Sequence, residues 1–595
     1  FPGFVISDAA ATGGATVLHH TEASTASAAS HALDAGLDVI FQSTWEQHRP
    51  YLDAFRQGLI AAPVIDSAVA RVLRAKFELG LFESPFVNPD SAAFWNGHAD
   101  HRALARESAR ASIVLLRNER RTLPLRRSLR SLAVLGVDAR EARLGGYSGA
   151  GIAPVSILDG IRATVGRNTL VRYAPGPGRT PTSHVVVPGD RLRADSSGTL
   201  VRGVRGEYFD NPGFAGEPRI VRTDPQISFG WTLNSPGRGI PYDWYSVRWT
   251  GSILIAAGVR RIGIEGNDGY RLWLDDRLVI DNWRKQSYGV RWADTRLTPG
   301  ARYRLRLEYF EPTGNARVKL VWDTGEGARA IASIEEAVAL ARRSDAVVIA
   351  AGIEEGEFRD RAFLRLPGHQ ETLITRVAAT GKPVTVVLVA GSAVTMGSWL
   401  ERVGAVVNAW YPGEEGGHAV ADVLFGDYNP AGRLPITFPV SEGQLPLTYN
   451  HKPTGRGDDY LDLTGQPLFP FGFGLSYTSF DYSALVIDPS SIAADGRAVV
   501  RCRIRNSGAV AGDEVVQLYF RDVLATVARP VVQLAGFQRI HLKPGEEKEV
   551  VFTIGTSHLR MLDAGMRWVV EPGTFRILIG GSSRDIRLRG ELTVR

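Results

Sequence analysis

The chain has 595 residues, of which 44% are hydrophobic and 22% charged, with a formal net charge of +6. That length exceeds what one hydrophobic core supports, so several domains are expected. There is no apolar run long enough for a membrane helix and no Lys/Arg block interleaved with aromatics to suggest nucleic acid, while the single cysteine, Cys502, excludes an intrachain disulfide framework and a Cys-rich metal site.

Phe1 to Asp8 reads as a buried parallel strand finishing on a carboxylate. A polar residue at the C-terminal end of such a strand is where catalytic groups sit in a (β/α) barrel. An Ala-rich helical stretch follows from Ala23 to Leu33, with Gly36 as its C-cap, and Leu37–Phe41 reads as a second strand. Pro50–Leu59 and Val64–Leu79 are predicted amphipathic helices, the second with Ile65, Val69, Val72, Leu73 and Phe77 on one face. This amounts to two β/α units, where a closed barrel needs eight, about 250 residues. The expectation is that the chain starts inside a barrel.

From about residue 100 the alternation resumes. A helix (Ala103–Val114), a strand (Leu132–Gly136), a glycine loop (Gly145, Gly146, Gly149, Gly151) and a helix (Ser156–Ala163) are predicted, and the pattern stops near Gly178. It restarts near Ile331 with helix, strand, helix, strand, strand and helix up to Phe425. One α/β domain interrupted by an insert is the simplest account. The insert is rich in Trp and Tyr, with period-2 runs such as Tyr270–Leu274 and Tyr303–Tyr309 separated by turn signals, as in an antiparallel β-sandwich. Beyond about 480 a second all-β unit has the length of an immunoglobulin-like sandwich. The fold class expected is thus multidomain α/β plus all-β. Its parts are a C-terminal remnant of a (β/α)8 barrel (1–95), an α/β sandwich in two pieces (100–187 and 329–478), an inserted β-sandwich (188–328) and a C-terminal β-sandwich (480–595).

Several motifs in this order resemble glycoside hydrolase family 3, of β-glucosidase type. They are Gly3-Phe4-Val5-Ile6-Ser7-Asp8, Lys76 to Phe82, Ser112 to Asn118 with Leu123-Pro124-Leu125, Trp410 to Gly417, Asn429 to Pro435, and Phe469 to Tyr477. Gly512 to Tyr519 with Leu534 to Phe537 is similar to the fibronectin type III-like domain of such enzymes. The insert, with Asp268 to Trp273 and Ile280 to Trp283, resembles a protective-antigen-type sandwich.

The resemblance implies a retaining exo-acting β-glycosidase, a β-glucosidase or β-xylosidase, acting without a cofactor on oligosaccharides or aryl and alkyl glycosides. Such chemistry needs two carboxyl groups, a nucleophile and a general acid/base. Asp8 is the nucleophile candidate by strand-end position and by motif. Ala9 departs from the tryptophan many members carry there. The acid/base is expected on the loop Gly352–Arg361, after a buried strand. Glu357 is the choice because similar members place a glutamate shortly before a pair like Asp360-Arg361, and Glu355 is the rival. His48 and Arg361 are candidate substrate-binding residues. His19-His20 with Glu22 lack a metal-ligand pattern, and no metal is expected. Asp275-Asp276 reads as a β-turn. The insert is implied to arch over the pocket and limit substrate length. The rival reading is a non-catalytic carbohydrate-binding or structural fragment, because two β/α units leave apolar faces uncovered. Partners other than sugar would then be a second copy or a separate polypeptide supplying the remaining barrel. Neither nucleic acid nor a membrane is expected. Location stays open, with periplasmic or extracellular placement as the expectation.

Overall fold

The computed structural model describes residues 1–9, 11–42, 45–146, 148–179, 184–196, 198–231, 235–356, 360–454 and 459–595. Two compact units emerge: residues 1–96 with 186–322, and residues 97–185 with 323–595. The architecture is mixed α/β together with β-rich domains.

In the first unit, Ile6 and Val39 form a parallel bridge, with the helix Thr25–Asp34 between them. Ser24 caps this helix by accepting from Ser27 N–H. The expected helices appear as Trp45–Arg56 and Ala62–Glu78. The first starts five residues before Pro50, so that Pro50 lies inside the helix and supplies no N–H to its bonding there. A small core gathers Ala29, Tyr51, Ala54 and Ile60. Val5 and Ile6, expected to be buried, are exposed, as are Val69, Leu73 and Phe77. A strand is buried by neighbours on its sides and faces, and among the described residues this one pairs only with the Val39 segment.

The rest of this unit is antiparallel sheet. Tyr245–Leu254 pairs with Arg302–Glu311, which pairs in turn with Gly269–Leu274. Trp231 and Trp249 are buried at its centre, whereas Trp273 and Trp283 are half-buried under Arg306 and Arg271. Asp275 and Asp276 both have positive φ in the turn before Arg277–Asn282, as a two-residue hairpin requires.

The second unit holds a six-stranded sheet. We label its strands β1 (Val114–Asn118), β2 (Ser131–Leu135), β3 (Leu170–Ala174), β4 (Ala346–Gly352), β5 (Val384–Val389) and β6 (Ala405–Asn408). The spatial order is β1-β6-β5-β4-β2-β3, all parallel except β1. The helices are α1 (Ala99–Ser112), α2 (Ile157–Val165), α3 (Glu326–Arg342), α4 (Gln370–Ala378) and α5 (Gly416–Phe425). Residues of α1, α2 and α5 share one buried cluster and those of α3 and α4 another, so the sheet is covered on both faces. Helices α2 and α5 meet closely. A Cβ on Gly160 would lie 2.0 Å from the Gly417 carbonyl oxygen, so only glycine fits.

Two elements differ from expectation. Helix α1 stops at Ser112, because Val114, Leu115 and Leu116 are buried as strand β1 against β6. Strand β3 lies where no strand was expected. It is a sheet edge, only partly buried, and its sequence Leu-Val-Arg-Tyr-Ala lacks a continuous apolar run.

The C-terminal sandwich of the same unit packs a three-stranded sheet (Phe480–Asp488, Arg497–Asn506, Glu547–Gly555) on a five-stranded one. The larger sheet contains β7 (Gly512–Asp522), β8 (Gly573–Gly580) and β9 (Ile586–Val594). Arg433 anchors this sandwich to the preceding segment through Glu514 at 3.0 Å, and Tyr482 Oη donates to the same carboxylate at 2.7 Å. Both partners of the ion pair are buried, where a paired charge is costly to break.

Within the first unit's sheet, Asp268 and Glu311 are fully buried side by side, and Tyr309 Oη donates to Glu311 at 3.0 Å. Burial, then the Asp268 carboxyl, pushes Glu311 up to about 9, so the pair holds a proton when folded. An unfolded glutamate releases that proton near pH 4.3. Stability from this source is therefore complete below that value and is lost as pH rises toward 9. Glu311→Gln should flatten the decline in melting temperature between pH 5 and pH 9 by at least half; a parallel decline in parent and variant would contradict the assignment.

Candidate active site

The strand order places a topological switch between β2 and β4. From β2 the chain goes outward to β3, and it later returns on the other side to β4, β5 and β6. The strand-end loops diverge at such a point and leave a crevice, the usual ligand position in open α/β sheets. A cavity of about 570 Å³ lies there, lined by Arg143, Gly145, Gly146, Gly149, Arg179, Glu354–Gly356 and Tyr411.

Its foundation is a buried acid. Gly136 ends β2 with φ of +99°, and a Cβ there would lie 2.0 Å from the Ala350 carbonyl oxygen. This tight turn drops Asp138 into the interior, its side chain fully buried. Arg143 and Arg179 each donate to Asp138 Oδ1 at 2.9 Å. Burial pushes the Asp138 carboxyl up, and the two guanidinium groups oppose it. Arg143 also donates to the Ile353 carbonyl and lies over the Tyr411 ring, 5.2 Å from its centroid.

Tyr411 carries the network onward. Its hydroxyl lies 3.0 Å from both the Ile353 carbonyl oxygen and Glu355 Oε2. Burial and then Glu355 push this phenol up, so it remains a donor. Glu355 Oε2 also accepts from Gly391 N–H at 2.6 Å, and Oε1 accepts from Ser392 Oγ and, at 3.5 Å, from Arg361. Arg361 further donates to Ser392 at 2.8 Å. The structure therefore joins two of the expected residues, Glu355 and Arg361, in one polar cluster. Glu357 lies outside the described residues.

Asp8 and His48 belong to the first unit. Asp8 follows the Ile6–Val39 bridge, exposed, with Oδ1 accepting from Ala9 N–H at 2.7 Å. The strand end beneath it is tied by Asp38, whose buried side chain accepts from Val5 N–H at 2.8 Å and from Arg71 at 2.6 Å. The Arg71 guanidinium, helped by Val5 N–H, holds the Asp38 carboxyl below its ordinary range despite its burial. His48 sits in the first turn of the helix Trp45–Arg56, not on a loop, with its ring stacked at 6.5 Å on Trp45. Glu22 pairs with His31 at 2.5 Å rather than with His19 or His20. Among the described residues no group of three or more His, Cys, Asp or Glu could hold a metal, and no helix is long and apolar enough to cross a membrane.

Asp138, Arg143, Arg179 and Ser392 escaped the sequence reading. An aspartate just past a strand-ending glycine is the only local signal among them. The arginines are single residues in loops, and only the fold brings them together.

Comparison with known proteins then decides the family. Residues 113–477 match the model of the glycosyl hydrolase family 3 C-terminal domain, and residues 514–583 match a fibronectin type III-like domain. The chain belongs to glycoside hydrolase family 3. It is similar to a β-glucosidase of Rhizobium radiobacter, 34% identical over 93% of this chain and 70% of that protein. It is also similar to a β-xylosidase of Formosa agariphila, 31% identical over the whole chain and 65% of that protein. A solved β-glucosidase from Erythrobacter marinus matches with a TM-score of 0.71 and 31% identity, over 100% of this chain and 64% of that one. The chain thus spans just under two thirds of the length of the Formosa β-xylosidase and of the solved structure.

Tyr411→Phe removes the hydroxyl that links Ile353 and Glu355. It should lower the unfolding free energy of this unit by about 1 kcal/mol, the usual worth of such a bond, measured by urea denaturation. An unchanged midpoint would show that the clamp does not form in solution.

Proposed function

We propose that the chain forms part of a retaining, exo-acting β-glycosidase, a β-glucosidase or β-xylosidase acting on non-reducing-end sugars. The observation that carries this reading is the polar crevice at the β2/β4 switch, bordered by the Glu354–Gly356 loop, in a chain of this family. The names of the relatives, β-glucosidase and β-xylosidase, point to the same reaction class.

In this reading Asp8 is the nucleophile. One carboxylate oxygen forms a bond to the anomeric carbon as the bond to the leaving oxygen breaks, giving a glycosyl ester. Glu357 donates its proton to the departing oxygen. It then removes a proton from water, whose oxygen attacks the anomeric carbon and releases Asp8. The two carboxyl groups must stand about 5–5.5 Å apart for this to proceed with retention. Support for Asp8 comes from its exposed carboxylate directly after a parallel bridge. Glu357 is favoured over Glu355 because both Glu355 oxygens already accept from protein donors. Glu355 fits better as the group that fixes the start of the loop. His48 and Arg361 are assigned to sugar binding, Arg361 through donors not used on Ser392, Glu355 and the Phe363 carbonyl.

We read residues 1–95 as the C-terminal part of a (β/α)8 barrel. The parallel pairing across an intervening helix supports this, as does the exposed apolar face of the helix Ala62–Glu78. Residues 188–328 are read as a protective-antigen-type insert that limits substrate length.

The test is hydrolysis of 4-nitrophenyl β-glucoside and β-xyloside by this chain and by the same chain extended upstream with further β/α units. Asp8→Ala should lower kcat at least 1000-fold in the active form. Glu357→Ala should slow poor leaving groups far more than dinitrophenolate, and azide should rescue it with retention. If Glu355→Ala shows that signature instead, the roles are exchanged; activity in neither form leaves the non-catalytic reading.

Deleting residues 188–328 should raise turnover of long oligosaccharides relative to aryl glycosides. An unchanged chain-length preference would rule out the insert's assigned role.

A further inference from the structure

The C-terminal sandwich carries a second feature, remote in sequence from the strand-end crevice. A groove of about 680 Å³ runs over the outward face of β7, β8 and β9, bordered by Tyr449 and His451. Arg521 of β7 faces Arg576 of β8 directly across the sheet. Arg589 of β9 stands opposite Leu578, two residues along β8 on the same outward face, and Arg584 enters from the turn before β9.

Like charges opposite one another in a sheet have Cβ atoms about 5 Å apart and destabilise it. Several other arginines of this unit do have carboxylate partners: Arg587 with Asp585 at 2.6 Å, Arg539 with Asp513 at 2.7 Å, Arg433 with Glu514 at 3.0 Å. Arg521, Arg576, Arg584 and Arg589 form no ion pair with any described residue. Glu591, the one carboxylate among the described residues of the groove, lies opposite Arg576 in register and pairs with none of them. Packing does not demand this arrangement, because all four side chains are exposed and any polar residue would serve the fold.

We propose that this groove binds a carbohydrate chain bearing carboxylate or sulfate groups. The anionic requirement rests on the four arginines, whose planar forks match carboxylate and sulfate oxygens in pairs. The carbohydrate requirement rests on the hydrolase reading above and on the groove's far end. There Tyr449 stacks on Phe471 at 4.2 Å, and the surface continues into a cleft of about 350 Å³ walled by Tyr460, Pro446 and Pro467. Such rings offer a flat apolar surface to the carbon face of a sugar. The groove would hold an acidic polysaccharide through its charged groups, and it takes no part in bond cleavage.

The experiment is calorimetric titration of the purified chain with oligogalacturonate, dextran sulfate and neutral dextran, at 20 and 200 mM salt. The two anionic glycans should bind at low salt and weaken at least 10-fold at high salt, and neutral dextran should not bind. The triple variant Arg521→Gln, Arg576→Gln, Arg589→Gln should lose at least 10-fold in affinity. Arg521→Gln alone should raise the melting temperature by relieving the facing charges, which shows that the fold is intact. Equal binding of neutral and anionic dextrans, or undiminished binding by the triple variant, would overturn the proposal. Tighter binding of double-stranded DNA than of either anionic glycan would overturn the carbohydrate assignment. Binding is read without turnover, so failure of the hydrolase reading would leave this result separately visible.

Discussion

The α/β layer depends on how one buried carboxylate is compensated. Asp138 is carried inward by a strand-to-helix turn that only glycine can make, and its charge must be met there. Two arginines meet it. Neither is consumed by the task, because a guanidinium has five N–H donors. Arg143 uses its remaining capacity on the Ile353 carbonyl and on the Tyr411 ring, and Tyr411 reaches Glu355. Loops from four strand ends, those of β2, β3, β4 and β6, are tied together by satisfying a single buried acid. Replacing Asp138 with an apolar residue would therefore do more than remove an ion pair. It would leave two guanidinium groups without the counter-charge that aims them.

That constraint gains meaning from strand order. Were β2 and β4 not adjacent, Asp138 and Ile353 would lie on different parts of the sheet and no single arginine could reach both. The adjacency arises because the chain winds outward from β2 to β3 and later resumes on the other side of β2 with β4. The excursion between β3 and α3 contains the entire β-rich insert, yet the sheet closes its order around it. Residues separated by some two hundred positions thereby share a hydrogen bond, as between Arg143 and the Ile353 carbonyl.

The sequence showed much of this framework. Buried parallel strands are continuous apolar runs, so β2, β4 and β5 could be read directly, and the Trp- and Tyr-rich alternation set the insert apart. Partly covered elements were harder. Strand β3 looks like loop because an edge strand need not be apolar, and β1 was absorbed into the helix before it because Ile113-Val114-Leu115-Leu116 suits either period. The site was legible only where a motif concentrates acids, at Glu354-Glu355 and Asp360-Arg361. Arg143, Arg179 and Ser392 are isolated polar residues whose roles come from long-range contact alone. The facing arginines of the C-terminal groove were equally hidden, since pairing register is not a property of either strand by itself.

The roles proposed for Glu355 and Glu357 rest on the same network. A general acid must present an oxygen to the leaving group and carry a proton there at the right moment. Glu355 has both oxygens directed at Gly391, Ser392, Tyr411 and Arg361, all within its own unit. Such a carboxylate fixes the path of the backbone that follows it, and each of its partners would have to be released before it could face a substrate. With Glu355 held in this way, the proposed assignment gives positioning to Glu355 and proton transfer to Glu357. On that reading, loss of the clamp would misplace the acid, and its kinetic mark would be a fall in kcat steeper for poor leaving groups than for good ones, the direction expected of Glu357→Ala.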